Sequence, residues 1–271
     1  MGTSIRFVLS SALDLDFLSL GGKSLSKIRL NLIIFHTMNQ ILNIYINDLR
    51  QSFRDRMMII FLLLPFIMIG VMQILLPLMI SYFPVVEPHS YLIVAMLCGA
   101  AAVGPGFLSG FLMLNEKDDG VFEVLRVLPV SAGTFLINRV SFIAVLGFIA
   151  SVLTLSFSGL PMNTGFILIL SIQIALFGPI VTLISVTFAK NKIEGVTLMK
   201  GLNFFFAFPL VILIIDPVWK LAAGIFPYYW IYLAMNEKMV NVDFGVYSGI
   251  GFTIEMALLW VVYRVFQRKI F

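Results

Sequence analysis

The chain alternates long apolar runs with short clusters of charge. Residues 57–86 contain no Asp, Glu, Lys or Arg, and neither do residues 88–115. A helix needs about 20 apolar residues to cross a hydrocarbon core about 30 Å thick. The first run therefore predicts a span over 57–80 and the second a span over 91–115. Residues 140–189 form a 50-residue stretch without a formal charge, which is too long for one helix. The turn-forming SGLPMNT at 158–164 divides it into a hairpin of two spans. Residues 201–215 and 244–263 complete six, the last interrupted only by Glu255. Residues 221–235 are also apolar, but they are short and contain Gly224 and Pro227.

Composition turns this pattern into a class. Of 271 residues, 60% are hydrophobic and 12% charged, where a soluble domain carries roughly 25% charged residues. Mean hydropathy is +1.03. These values exclude an ordinary soluble enzyme, a disordered chain and a nucleic-acid binder, and they leave an all-α polytopic membrane protein. The single Cys98 excludes an internal disulfide and a cysteine-based zinc site. The net charge of +4 is a matter of placement. With six spans and a cytoplasmic N-terminus, sixteen of the 18 Lys and Arg fall on the cytoplasmic side, and only Lys220 and Lys238 lie outside. The positive-inside rule thus favours six crossings, with both termini cytoplasmic. Residues 217–240 become an outer-face segment, re-entrant or interfacial, with Tyr228, Tyr229 and Trp230 at headgroup level.

Before the first span, Ile41, Tyr45, Leu49 and Phe53 recur four apart, and Leu42 and Ile46 widen the stripe. Asn43, Asn47, Asp48, Arg50, Gln51 and Arg54 take the other side. This predicts an amphipathic helix over 40–55 lying along the membrane interface, either as a plain anchor or as an elbow that also touches a partner. Residues 1–37 form an N-terminal extension of different character. Arg6 and the apolar residues after it resemble a signal peptide only until Asp14 and Asp16. Met38 is an alternative start, which makes 38–271 the six-span domain.

The segment between the second and third spans is far longer than a connector needs. It gathers Glu116, Lys117, Asp118, Asp119 and Glu123, and Val121, Val124, Leu125 and Leu128 follow at helical spacing. Pro129 stops that helix, and Ser131 can cap the next one. The pattern predicts a short amphipathic helix on the cytoplasmic face, with acids near its positive N-terminal pole.

The run Glu-Lys-x-x-Gly-x-x-Glu-x-Leu-x-x-x-Pro-x-Ser resembles the coupling region of type-2 ATP-binding-cassette (ABC) transporter permeases of the drug- and antimicrobial-export kind. Glu116, Lys117, Gly120, Glu123, Leu125, Pro129 and Ser131 carry the match. The entry helix ending in DLRQSFRDR, the second cytoplasmic loop AKNKIEGVTLMKG and the outer-face FPYYWIYLA agree with it in order. The resemblance implies an export permease. Two copies, or one copy with a related chain, would form the pathway in a bacterial plasma membrane. A separate ATP-binding subunit, carrying ATP and magnesium, would bind the loop helix. This chain would bind no cofactor and hold no catalytic residue. Drugs, peptides, lipids, ions and polysaccharides all fit that architecture as cargo.

Other features carry less. Gly22-Lys23-Ser24 has the tail of a phosphate-binding loop, but Phe17 stands where its first glycine belongs. Glu255 is the lone formal charge near the middle of a span. Such a group faces the bundle interior or a wet cavity, as a substrate-contacting or helix-orienting carboxylate or as a protonated one bonded to Asn203 or Thr253. Gly106 and Gly110 permit close helix approach, within the chain or at a dimer seam. The 26 Phe and 14 Met suit lipid-facing and core positions, with an aromatic cavity for apolar drugs as the alternative. His36, His89 and Cys98 stand apart and suggest no metal site. Asp119-Gly120 invites comparison with CDP-alcohol phosphotransferases, but the later Asp pair is missing. A secondary transporter or channel is the main rival reading, although no inverted repeat is evident.

Overall fold

The computed structural model describes residues 46, 50, 53, 56–123, 132–215, 223–236 and 243–270. The extension 1–37, most of the expected interfacial helix and residues 124–131 lie outside the described residues. Of that interfacial helix, Ile46, Arg50 and Phe53 are described, and each is helical and exposed. The compact unit considered below runs from Arg50 onward.

Every regular element among the described residues is helical. The first crossing joins α1 (Arg56–Gly70), a π-helical turn (Val71–Leu75) and α2 (Leu76–Tyr82). The π turn has a local cause. Pro77 has no N–H to donate back to residue 73, and the Leu76 N–H instead reaches the Val71 carbonyl, five residues away. A 3-10 turn (Pro84–His89) leads into α3 (Ser90–Asp118). The third crossing is α4 (Ala132–Ser156). The chain then turns at Gly159, whose φ of 77° lies in the left-handed region. Asn163 caps α5 (Thr164–Ala175) by accepting from the Gly165 N–H. A break at Leu176, three residues ahead of Pro179, separates α5 from α6 (Phe177–Phe188), and together they make the fourth crossing.

After a short loop, α7 (Lys192–Ile215) runs for 24 residues, about 36 Å at helical rise. Then come α8 (Pro227–Asn236) and α9 (Asp243–Ile270). Five helical segments of the described residues are long and apolar enough to cross a membrane, and α7 supplies the position of the expected sixth crossing.

The packing is centred on α3 and the α5–α6 pair. Residues 101–114 of α3 are all buried, whereas Leu63, Phe66 and Ile67 of α1 and Trp260 of α9 are exposed. The glycines explain how α3 and α6 come so close. A Cβ on Gly106 would lie 2.7 Å from the Gly178 Cα, and one on Gly110 would lie 3.3 Å from the Ser185 Cβ. Thr182 Oγ1 donates to the Gly106 carbonyl across this contact at 2.8 Å. The glycine face of the second crossing is therefore covered by the fourth crossing of the same chain.

The segment expected at headgroup level differs. At 10 residues, α8 spans about 15 Å and is too short to cross. It packs inside the protein, with Tyr228 only 2% exposed and Tyr229 only 5%. The Tyr228 hydroxyl donates to the Ala95 carbonyl at 2.7 Å. The bare Cα of Gly99 makes room for the ring, because a Cβ there would overlap it. A tyrosine has an apolar body and a polar tip, so a protein carbonyl satisfies it as well as the headgroup layer does.

Candidate functional site

Lys117, Arg139, Lys192 and Lys269 lie at one end of the helices, where α3 and α9 finish and α4 and α7 begin. The sequence-predicted coupling residues start here. α3 carries Glu116 and Lys117 in its last turn and ends at Asp118, with Asp119 as its C-cap. Gly120 follows with φ 74°, the left-handed geometry that glycine adopts without steric cost. Its N–H donates to the Lys117 carbonyl at 3.2 Å, and its own carbonyl accepts from the Glu123 N–H at 3.1 Å. The chain thus stops one helix and starts another within a few residues. Residues 121–123 are helical. Phe122 is buried in one apolar cluster with Met113, Leu114, Leu136, Val186 and Phe266, and Glu123 is exposed. Leu125, Pro129 and Ser131 lie outside the described residues.

Side chains tie this corner to three neighbouring elements. Arg139, in the second turn of α4 and 3% exposed, sets Nη1 at 2.7 and 2.8 Å from the two carboxylate oxygens of Glu116. That pair closes the ends of the loop between the second and third crossings. Lys117 Nζ donates to the Val186 and Ala189 carbonyls at 3.2 and 2.9 Å, a cation on the negative C-terminal pole of α6. Lys269 Nζ sits 4.4 Å from the centre of the Phe188 ring and brings in α9. The next loop is fixed as well. Asn191 Oδ1 accepts from the Glu194 N–H at 3.0 Å, and Glu194 Oε2 accepts from the Lys190 N–H at 2.9 Å. The two bonds together cap the start of α7. Gly195 then lets α7 pass close to Leu114.

The corner is thus a structural joint: a buried aromatic residue and an ion pair lie within a few residues of Gly120, and Lys117 ties the end of α3 to α6. By sequence, Arg139 is only one of the sixteen cytoplasmic Lys and Arg, and Phe122 does not stand out as an anchor. Its one signal is that it is an aromatic residue inside an otherwise acidic turn.

The remaining candidates separate from this joint. Gly106 and Gly110 are the α3–α6 contact described above. Glu255 lies farther along α9, fully buried, and Gln173 Nε2 of α5 donates to its Oε1 at 3.2 Å. Its partner is therefore neither Asn203, which lines a cavity on another side of α3, nor Thr253, which donates to the Gly249 carbonyl. The Asn203 cavity holds about 220 Å³ and is walled by Gly99 and Ala100 of α3, Phe206 of α7, and Tyr228 and Tyr232 of α8. Phe177, Phe206 and Tyr228 meet edge to face, with centroids 5.0 to 5.9 Å apart.

Residues 48–263 match the family described as fluoroquinolones export permease protein Rv2686c-like. The chain belongs to this family. It is 28% identical over 235 residues to two Mycobacterium tuberculosis proteins, each named a fluoroquinolones export permease protein: Rv2686c of strain H37Rv and MT2760 of strain CDC 1551. Each match covers 82% of this chain and 92% of the relative. The matched region takes in Glu255 and the joint from Glu116 to Glu194, and it ends inside α9. The protein is a multi-pass membrane permease of the export type.

Proposed function

We propose that this chain is one membrane half of an ATP-driven exporter of drug-like amphiphiles, with fluoroquinolones among its substrates. The names of the two mycobacterial relatives support that substrate class. Two permease copies, identical or related, form the pathway in a bacterial plasma membrane, with both termini on the cytoplasmic side. A separate ABC-type ATP-binding subunit carries ATP and magnesium and docks on the segment that begins at Gly120. The bundled ties of Glu116–Arg139, Lys117–α6 and Phe122 carry this reading. A loop that served only as a connector would need none of them, whereas a loop that receives a push must be braced against the helices it moves. Glu123 projects from this braced turn and is available to a partner.

The test uses vesicles holding the permease with its ATP-binding subunit, with ATP-dependent movement of a fluoroquinolone as the readout. Glu123→Lys reverses an exposed charge without touching the internal packing. It is expected to lower ATP-driven transport by about tenfold, as charge reversal in a complementary interface does. Insertion and thermal stability should hold. Unchanged transport would remove Glu123 and the docking role with it.

A further inference from the structure

Glu255 lies about 18 Å along α9 from its first residue, at bilayer depth. Gln173 occupies one of its oxygens. The other, Oε2, has no hydrogen-bond partner among the described residues, and neither does Gln173 Oε1 or Ser248 Oγ. All three groups are buried, with Gln173 1% and Ser248 6% exposed. Hydrocarbon offers no water to satisfy them. They therefore form a buried polar set with three oxygens left to accept.

This cluster backs a cleft of about 350 Å³ between α5 and α9. Gln173 and Ser248 line it, and its walls include Ile169, Ile172 and Phe252, which are 41 to 50% exposed on the outer surface of the helices. The mouth thus opens toward the hydrocarbon. Gly249 gives the cleft its width, since no atom lies within 4 Å of where its Cβ would stand. Gly251 does the opposite. A Cβ there would collide with the Gln173 amide and lie 2.7 Å from the Trp230 Cβ, so its absence is what lets Gln173 reach Glu255.

We propose that this cleft binds the protonated amine of an apolar, amine-bearing molecule that enters from the bilayer. Ser248 Oγ and Gln173 Oε1 accept its N–H bonds, and Glu255 supplies the counter-charge behind Gln173. The proposal rests on the drug-export reading and names the chemical class that this part of the pathway takes. Other ligand classes fit less well. An anion would find no Lys, Arg or His on the lining. A hard metal ion needs several oxygen ligands, and the lining itself carries no carboxylate. A neutral hydrocarbon would leave every acceptor unmet.

The test measures binding of N-dansylcadaverine, a fluorescent apolar primary amine, to the full chain in lipid nanodiscs. Its N-acetyl derivative serves as the uncharged control. The wild type should bind the amine about tenfold more tightly than the acetylated form. Glu255→Gln keeps the shape and removes the charge, and should abolish that preference. Gly249→Leu fills open space in the cleft and should abolish amine binding with Glu255 intact. Because nothing crowds Gly249, that variant decides the matter if Glu255→Gln fails to insert. Equal binding of the two probes by the wild type would overturn the proposal, and so would a preference that survives either substitution. Fluoroquinolone transport by the wild-type permease with its ATP-binding subunit is measured in parallel. Transport without amine preference sinks this site alone, and absence of transport sinks the export reading itself.

Discussion

The Glu116–Arg139 pair predicts an unequal response to removing one partner or the other. The two ends sit in different surroundings: Arg139 is 3% exposed and Glu116 22%. At an effective dielectric of about 20, opposite charges 4 Å apart attract by about 4 kcal/mol, and this pair is closer. Desolvation offsets much of that gain, so the informative quantity is the cost of deleting one partner, about 3–5 kcal/mol for a fully buried pair. Glu116→Ala takes the carboxylate from a guanidinium that water does not reach, and should cost about 3 kcal/mol, near the floor of that range. Arg139→Met leaves a carboxylate that can rehydrate, while the methionine fills much of the vacated volume. It should cost about 1–2 kcal/mol. The double variant removes both charges and should be less damaging than the two single costs added, by about 1–2 kcal/mol.

The assay is equilibrium unfolding in mixed detergent micelles, with the same four proteins ranked by thermal stability in nanodiscs. The reasoning fails if the single variants cost the same and the double variant is additive. That result would mean that the pair is solvated in the membrane-embedded protein and braces nothing.

Three further outcomes follow from close contacts. Gly120→Ala places a Cβ on a left-handed residue and should cost about 1–2 kcal/mol, while Gly120→Asn should be milder; comparing their thermal stabilities checks the turn. Gly106→Ala meets backbone of α6 and should cost about 2–3 kcal/mol, whereas Gly110→Ala meets the Ser185 Cβ at 3.3 Å, a contact relieved by a few tenths of an ångström, and should cost under about 1 kcal/mol. The thermal-stability ranking of the two variants checks the register of α3 on α6. Tyr228→Phe loses the hydrogen bond to Ala95 and should cost about 1 kcal/mol, read in the same unfolding assay, with the Phe177 and Phe206 ring contacts kept.

The crossings were legible because charge is expensive in hydrocarbon. The run 57–86 became the helices from Arg56 to Tyr82, and the turn SGLPMNT became the loop before Asn163 caps α5. Which face of each helix turns inward was not legible, because lipid and protein core are both apolar and periodicity says nothing between them. Only the small residues of α3 gave a hint, and Gly106 does meet Gly178. Pairings across the fold were hidden for another reason. Arg139 meets Glu116 across 23 residues of sequence, and Gln173 meets Glu255 across 82. Glu255 could be read as an inward carboxylate from its cost alone, but its partner lies on a helix whose polar residue looked incidental. The Tyr228–Trp230 cluster was ambiguous in principle, since interface and interior both satisfy an amphipathic ring.

The distribution of these contacts bears on how the proposed push would travel. Helices in lipid gain nothing from burying one apolar face on another as opposed to on lipid chains, so close packing and polar ties decide which of them move together. α3 and α6 share a glycine contact, the Thr182 bond to the Gly106 carbonyl and the Lys117 cap on the α6 C-terminus. Glu116 adds the start of α4. These elements would move as one body. α1 and α2 are held differently. Only 17% of the first span's most apolar stretch is buried, against 78% for the span containing α3, and its exposed Leu63, Phe66 and Ile67 face hydrocarbon or a second copy. A displacement at Gly120 would therefore turn the α3–α4–α6 body as a unit and slide it against the loosely held first crossing. The aromatic cavity between α3, α7 and α8 has one wall on that moving body, so it would change shape with each stroke. If α3 and α6 instead separated during transport, a disulfide engineered between them at the level of Gly110 and Ser185 would block export. On the rigid-body account, that crosslink leaves export intact.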